Sequence, residues 1–180
     1  MRNLLFFILV VAATTFLGPS LSEENATLID LSRSMFTEKE FKVAKSIREE
    51  RCLTEAIYYE AGNQSEIGKE AVALVIMNRV SGPHRPNTIC GVITQAHVVD
   101  DRKVCQFSFW CEAKRRPTKE AWEKSQQVAH RVLTSYWRRD IMSQYQTAVY
   151  YHADYVKPKW RKSKIFLGKI DNHLFYGEPQ

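Results

Sequence analysis

The stretch "CLTEAIYYEAGNQ", residues 52–64, decides how the first half of this sequence folds. Two glutamates, Glu55 and Glu60, lie there in a run of apolar and aromatic residues that breaks at Gly62-Asn63. An apolar run of this kind followed by glycine and asparagine is typical of a helix that ends at the glycine. The stretch therefore predicts a helix over about residues 49–61.

The two glutamates lie on different faces of this predicted helix. Cys52, Ala56 and Glu60 recur at every fourth position, so they share one face with neighbouring apolar residues. Glu55 lies about 140° away around the helix axis. We therefore expect Glu60 to face the core and Glu55 to face water.

A carboxyl at Glu60 is a candidate catalytic acid. Aromatic neighbours such as Tyr58, Tyr59 and Trp110 would desolvate it, and the last turn of a helix carries the negative end of the dipole. Both effects favour the protonated form near neutral pH, which a general acid needs. The alternatives are that Glu60 faces solvent on a frayed last turn or that it forms a structural hydrogen bond.

The rest of the chain indicates a single α+β domain. It has 180 residues, of which 44% are hydrophobic and 26% charged, as in a soluble globular protein. A capping box at Thr37 predicts a helix start. The late segments "TAVYYHADYV" and "KIFLGKIDNHLFYG" are rich in β-branched and aromatic residues and predict strands. A chain with helices first and short antiparallel strands later is typical of the α+β class.

Between these ends the sequence predicts further elements. They are a buried helix over "SEIGKEAVALVIMNRV", a short helix from the cap Thr88 to Gln95, an extended or hairpin region over "DDRKVCQFSFWCE", and a long helix over about residues 118–139.

The N-terminus has the layout of a secretory signal. One arginine precedes an apolar run and small residues, which predicts a signal peptide over residues 1–22, with an uncleaved anchor as the alternative. Residues 23–36 then read as a linker and residues 37–180 as the catalytic domain. We expect an exported protein of the periplasm, cell envelope or extracellular space, with no stable membrane partner unless the segment stays uncleaved.

The four cysteines and the net charge limit which cofactors and partners we expect. The even count predicts two disulfides, with Cys105–Cys111 as the first choice of pair. The sequence has no Cys-x-x-Cys spacing of the kind that binds zinc. His152 and His173 are candidate zinc ligands or catalytic bases, but they are not part of a His-x-x-x-His pattern. The net charge of +6 favours polyanions of the cell wall. We expect no metal, no cofactor and no nucleic acid partner.

Several motifs together resemble the SleB-type cell-wall hydrolases. They are "CLTEAIYYEAG", "GKEAVALVIMNRV", "PNTICGVITQ", "CQFSFWCE", "AVYYHADYVKPKW" and "IDNHLFY", in that order over residues 51–176. The resemblance implies a lysozyme-like α+β domain that cleaves peptidoglycan glycan strands. Glu60 matches the family's catalytic glutamate.

The resemblance also implies a substrate cleft. Its candidate residues are Gln95, Gln106, Ser108, Tyr151 and His152, which match other motif positions. Tyr58 and Trp110 join them as aromatic rings that would stack on sugars.

Two positions depart from the family pattern. Gln64 stands where the family has a second glutamate, and Asp171 stands where it has glycine. An amide cannot act as a base or nucleophile. Hydrolysis needs a second carboxyl, whereas a lytic transglycosylase uses the C6 hydroxyl of the same muramic acid. The sequence therefore favours a lytic transglycosylase that uses Glu60 alone on the MurNAc–GlcNAc bond.

Two alternatives stay open. The first is a hydrolysing muramidase or glucosaminidase with Glu66, Asp100 or Asp101 as its second carboxyl. The second is a catalytically weak peptidoglycan-binding protein that keeps Glu60 for structure.

Overall fold

A computed structural model describes residues 21–112, 116–135 and 143–179. Most of the predicted signal peptide and the C-terminal end of the predicted long helix lie outside these residues. The chain divides into two units, Met1–Lys42 and Val43–Gln180. The described part of the first unit is helical.

One continuous helix, α1, spans Leu21–Ala61. The two separate helices expected from Thr37 and from residue 49 are therefore wrong, because residues 37–61 contain no glycine or proline that would interrupt a helix. Residues 23–36 are helical, and their role as a linker stays a prediction. The predicted stop is confirmed. At Gly62 a Cβ atom would lie 2.4 Å from the Tyr58 carbonyl oxygen, so a side chain does not fit there.

The next two helices begin at side-chain caps. Helix α2 spans Glu66–Ser81 and α3 spans Ile89–Thr94. Ser65 Oγ accepts from Gly68 N at 3.1 Å, and Thr88 Oγ1 accepts from Gly91 N at 3.0 Å. Half of the residues of α2 are buried, which confirms the prediction of a largely buried helix.

The region after α3 is a hairpin followed by a helical turn. Strand β1, Ala96–Val99, pairs antiparallel with β2, Arg102–Cys105, across a two-residue loop with positive φ at Asp100 and Asp101. The turn α4 spans Ser108–Cys111, so the expectation of extended chain is wrong for this part. The Cys105–Cys111 disulfide holds two Cα atoms 5.8 Å apart, whereas an extended chain of six residues would span about 20 Å.

A fifth helix and a three-stranded sheet complete the described part. Helix α5 spans Lys119–Ser135. Strands β3, Ala148–Ala153, β4, Ile165–Ile170, and β5, His173–Gly177, form an antiparallel sheet with β5 in the centre. A 3-10 helix over Lys159–Ser163 lies between β3 and β4. The predicted late strands are confirmed.

The core lies where α1, α2, α3, α5 and the sheet meet. Its fully buried side chains include Leu53, Ile57, Val72, Val128 and Phe175. A second disulfide, Cys52–Cys90, joins α1 to α3. Both predicted disulfides are therefore present, including the Cys105–Cys111 pair, and the α+β class is confirmed. None of the helices in the described residues has the length and hydropathy to cross a membrane.

Candidate functional site

Glu60 lies in the last turn of α1 and meets the sheet at Tyr151. The Tyr151 hydroxyl donates to Glu60 Oε2 at 2.9 Å. Strand register places Tyr151 opposite Phe175, and their rings lie 5.9 Å apart, so the tyrosine is fixed by the core. Burial raises the pKa of Tyr151 well above its ordinary value, and the Glu60 charge adds to this. Tyr151 therefore stays protonated and serves as a donor.

The Glu60 carboxyl holds its proton more tightly than an ordinary glutamate. Burial is the largest cause and raises its pKa. The Tyr151 hydrogen bond and then the positive charge of Arg79 act in the opposite direction, while the charge of Glu112 raises the pKa again. The net direction is upward, as the sequence predicted for a general acid.

Arg79 is the cation whose charge lowers the pKa of Glu60. It is only 4% exposed, its Nε donates to the Val149 carbonyl at 2.8 Å, and its guanidinium lies over the Phe107 ring. Among the described residues its Nη1 is a buried nitrogen without a hydrogen-bond partner. A fixed cation of this kind stabilises the ionised carboxylate that remains once an acid has given up its proton.

Glu55 differs from its expected position. It is half-buried rather than fully exposed to water. Tyr59 lies one turn further along α1, and helical spacing brings the two side chains together. Burial, followed by the Glu55 charge, raises the pKa of Tyr59.

The turn after Glu60 is attached to the tip of the β4–β5 hairpin. Asp171 Oδ2 accepts from Ser65 N at 2.8 Å and from Ser65 Oγ at 2.7 Å. Gln64 Oε1 accepts from Asn172 N at 3.3 Å. Asp171 has a φ of 48°, a strained value for a residue with a side chain. Both departures from the family pattern, Gln64 and Asp171, therefore meet in one hydrogen-bonded contact.

Gly68 makes room for this contact. A Cβ atom on Gly68 would lie 2.3 Å from Asp171 Oδ2. The buried Lys69 adds a further link, because its Nζ donates to the Gln64 carbonyl at 2.6 Å. The turn that follows Glu60 is thus held from the hairpin and from α2.

Four of the predicted cleft residues lie around the β1–β2 hairpin. Gln106 N donates to the Gln95 carbonyl at 2.9 Å, which joins the end of α3 to the start of the α4 segment. Gln95, Gln106 and Ser108 are exposed, and Trp110 is 36% exposed. They form one polar and aromatic surface beside the hairpin.

Buried rings connect this surface to the end of α1. Phe109, next to the exposed Trp110, stacks on Tyr59 with ring centroids 5.0 Å apart. Tyr59 directly precedes Glu60 in the sequence. The α4 turn is therefore packed against the last turn of α1.

Tyr58 packs toward α5. Its ring lies 6.0 Å from Trp122, and its hydroxyl accepts from Thr118 N at 3.3 Å. The structure therefore does not bring Tyr58 into the contact between Glu60 and Tyr151.

His152 lies on the other face of the sheet from Tyr151. Side chains alternate along a strand, and the ring contacts follow this rule. Tyr151 contacts Phe175, whereas His152 stacks on Tyr176 and its Nε2 lies 3.1 Å from the Tyr176 hydroxyl. The structure thus separates His152 from Glu60 by the sheet.

His173 lies on the Tyr151 side, with the two rings 5.2 Å apart. Burial lowers its pKa, although the charges of Asp171 and Asp154 act in the opposite direction. Within the described residues no group of three or more His, Cys, Asp or Glu side chains could hold a metal ion.

Sequence reasoning missed Arg79 and Glu112. Arg79 is the only charged residue of α2 after Glu70, which was the available signal. Glu112 directly follows the Cys105–Cys111 loop, and its backbone N–H donates to the Ser108 carbonyl at 3.1 Å. No sequence pattern links Glu112 to Glu60, because the two residues are far apart in the chain.

Comparison with known proteins identifies one family. The family model for cell wall hydrolases matches residues 63–176, which begin just after Glu60. No curated protein matches this chain.

Two solved structures are similar to the chain. The catalytic domain of the germination-specific lytic transglycosylase SleB from Bacillus anthracis is 23% identical, with a TM-score of 0.53, and the match covers 71% of this chain and 93% of that one. The catalytic domain of the Bacillus cereus SleB protein is 22% identical, with a TM-score of 0.49, and covers 71% and 88%. The first likeness confirms the lysozyme-like fold.

Proposed function

Because the chain belongs to the cell wall hydrolase family, we propose that it cleaves peptidoglycan glycan strands as a lytic transglycosylase, with Glu60 as its single acid and base. The observation that carries this proposal is the half-buried Glu60 carboxyl, which accepts the Tyr151 hydroxyl and has a raised pKa. A carboxyl in this state holds a proton that it can give to a leaving group.

The reaction uses the Glu60 carboxyl twice, first as an acid and then as a base. Protonated Glu60 gives its proton to the oxygen of the MurNAc–GlcNAc β-1,4 bond as the bond from that oxygen to C1 of MurNAc breaks. The resulting Glu60 carboxylate then takes the proton of the C6 hydroxyl of the same MurNAc while O6 bonds to C1. The products are a 1,6-anhydro-MurNAc end and a free GlcNAc hydroxyl, and Glu60 is protonated again.

The position of Gln64 supports a single-acid reaction. Its Oε1 accepts from Asn172 N and its Nε2 donates to Asn63 Oδ1, so both ends of the amide hold the turn. Of the other carboxyls considered as a partner, Glu66 binds Arg131 at 3.2 Å, and Asp100 and Asp101 form the β1–β2 loop. No metal or organic cofactor takes part in the proposed steps.

Product analysis tests the proposal. Digestion of purified peptidoglycan should give 1,6-anhydro-muropeptides by mass spectrometry, and Glu60→Gln should lower the rate about 10²- to 10⁴-fold, the usual contribution of a general acid. Reducing-end sugars alone would make the protein a hydrolase. A fully active Glu60→Gln variant would remove Glu60 from the reaction.

A hydrolysing muramidase or glucosaminidase is the second candidate, and Glu112 is the observation that favours it. This exposed carboxylate acts on the pKa of Glu60 and is held by the disulfide-closed loop. Glu112→Gln separates the two mechanisms. A transglycosylase should keep its anhydro products in this variant, whereas a hydrolase that uses Glu112 as base or nucleophile should lose its activity.

The remaining site residues are proposed as a substrate cleft. Trp110 and Tyr58 would stack on sugar rings, and Gln95, Gln106 and Ser108 would hydrogen-bond them. On the outer sheet face His152 would support the strand that carries Tyr151. A weak peptidoglycan-binding protein is the alternative outside the enzymes, and it would pellet with cell walls without clearing a wall suspension.

We place the protein outside the cytoplasm. The family and the two disulfides support an extracytoplasmic location, because disulfides persist in oxidising compartments. A secretory signal over residues 1–22 would deliver it there, and N-terminal sequencing of the exported protein tests whether that segment is removed.

A further inference from the structure

Three donors converge on one carboxylate on the outer face of the sheet. Arg85 Nη2 lies 3.4 Å from Glu178 Oε1, the Tyr150 hydroxyl donates to the same oxygen, and Lys164 Nζ binds Oε2. Tyr150 precedes Tyr151 in β3, so strand alternation points it away from Glu60. Its ring neighbour is Trp160, which also contacts His152 and Tyr176. This cluster is therefore separate from the Glu60 site.

The cations of this cluster also contact Tyr150. Arg85 lies 5.5 Å above the Tyr150 ring and donates to its hydroxyl at 3.4 Å. Lys164 Nζ lies 4.4 Å from the centroid of the same ring. Their side chains are only 21% and 18% exposed. Cation–π attraction to one tyrosine ring holds the two cations near each other, which preorganises a site for an anion.

The carboxylate in the site comes from a residue at the edge of the fold. Glu178 follows the last residue of β5, Gly177, and its side chain is 47% exposed. It can leave without breaking a strand pair or uncovering the core. Two positive charges face its single negative charge, so the cluster keeps a net charge of +1 even when Glu178 is bound.

We propose that Arg85, Tyr150 and Lys164 form a binding site for an anionic group of the cell wall, and that Glu178 occupies this site as a tethered competitor. This inference rests on the proposed wall substrate. The carboxylates of peptidoglycan peptides match the group that occupies the site now, and wall phosphates share the same anionic chemistry. The site would hold the protein on its polymer at a surface separate from the cleavage site.

Binding to purified cell walls tests the proposal in a Glu60→Gln background, where the wall is not digested. Adding Glu178→Gln should tighten binding about three- to tenfold, because a tethered competitor loses its charge. Adding Lys164→Ala or Arg85→Ala should weaken binding by about the same factor, and salt should reduce the differences. Glu123→Gln is the matched control, because it makes the same charge change on the exposed ion pair with Lys119.

Two further arms identify the anion. Walls whose carboxyls have been amidated should lose the Glu178→Gln gain if peptide carboxylates are bound. Walls stripped of phosphate polymers should lose it if phosphate is bound. If Glu178→Gln binds no tighter than Glu123→Gln, or binds more weakly, Glu178 is a structural ion-pair partner and the proposal is wrong. Failure of all variants to bind walls would also overturn it.

This test is independent of the cleavage reaction. If the chain with Glu60 intact releases no glycan fragments but the Glu178→Gln gain is present, the proposed function fails and the anion site stands. If fragments are released and the Glu178→Gln gain is absent, the proposed function stands and the anion site is wrong.

Discussion

At the level of single residues, the chemistry depends on the groups around Glu60, which form two sets with opposite effects on its pKa. Burial and the Glu112 charge favour its protonated form, whereas the Tyr151 hydroxyl and Arg79 favour the ionised form. A general acid that must become a base needs both, because each form is used once per turnover. The two opposing sets make the titration of Glu60 sensitive to single substitutions.

Tyr151→Phe should move the pH dependence of the reaction. The lost hydrogen bond stabilised the charged form, so the pKa of Glu60 should rise further. An acid is active below its pKa, so the falling limb of the kcat profile should move to higher pH. Tyr155→Phe is the control, because that residue is 82% exposed. An unmoved limb, or one moved to lower pH, would contradict the role given to Tyr151.

Glu60→Gln should raise stability while it removes activity. The folded state holds the Glu60 proton more tightly than the unfolded chain, so the parent loses stability as pH rises from the ordinary glutamate pKa through the raised one. Glutamine has no such loss and still accepts the Tyr151 hydroxyl. Thermal unfolding should therefore show a higher Tm for Glu60→Gln at neutral pH and no difference below the ordinary pKa.

The control for the Tm measurement is a glutamate whose pKa is shifted downward instead of upward. The hydrogen bond from Lys124 lowers the pKa of Glu120. Glu120→Gln should therefore not raise the Tm at neutral pH. Equal effects of the two substitutions would mean that burial of Glu60 is not the cause.

At the scale of elements, the hairpin tip and the α1–α2 turn act as one unit. Asp171 keeps a positive φ of 48° while its carboxylate binds both Ser65 donors. The strain at Asp171 is offset by these bonds, and Gly68 leaves the space they need. The hairpin thereby positions the turn that directly follows Glu60.

Substitutions at Asp171 should rank in a defined order. Asp171→Ala loses the bonds to Ser65 and keeps the strain, which should cost about 1–3 kcal/mol of unfolding free energy. Asp171→Gly loses the same bonds but relaxes the positive φ, so it should cost less. At Asp100, which also has a positive φ, glycine should stabilise. Denaturant unfolding measures the order, and alanine and glycine of equal effect at 171 would contradict it.

Gly68 and Asp171 should be coupled. Gly68→Ala places a methyl group against Asp171 Oδ2 and should destabilise the parent. The cost should be smaller when Asp171→Gly is already present. A double-mutant cycle measures this coupling, and additive effects would show that the two positions are independent.

The local features of this architecture could be predicted from the sequence. Helical spacing predicted that Glu60 faces inward, and in the structure it meets Tyr151 while staying half-buried, as Glu55 is. Glycine marked the end of α1 correctly. Sequence reasoning could not pair Glu60 with Tyr151, 91 residues further along the chain, because strand register depends on the whole sheet. The capping box at Thr37 was overridden because the residues before it are also helical.

At the scale of the whole molecule, two disulfides have different tasks. Cys52–Cys90 closes a loop of 38 residues between α1 and α3, whereas Cys105–Cys111 closes one of 6 residues around α4. A longer loop restricts the unfolded chain more. The short loop carries Trp110 and directly precedes Glu112.

Removing the two disulfides separately should distinguish these tasks. Replacing Cys52 and Cys90 by serine should cost about 4 kcal/mol of unfolding free energy, and replacing Cys105 and Cys111 about 2 kcal/mol. Wall cleavage should fall more when Cys105 and Cys111 are replaced than when Cys52 and Cys90 are replaced, because the short loop fixes the proposed cleft surface. Unfolding curves and turbidity assays measure both orders. A short-loop variant that keeps full activity would contradict the cleft assignment.

Strand β3 carries two adjacent tyrosines that bind different glutamates, Tyr150 with Glu178 outside and Tyr151 with Glu60 inside. This sets a parity rule for changes in chain length. Pairing with β5 is regular over Tyr150–Ala153, whereas the irregularity between Ala148 and Tyr150 already takes up one unpaired residue. Inserting one residue between the two tyrosines would place both rings on the same side of the sheet, whereas inserting two would keep them on opposite sides. The chain before Tyr150 can therefore vary in length, but the segment between the two tyrosines tolerates only even steps.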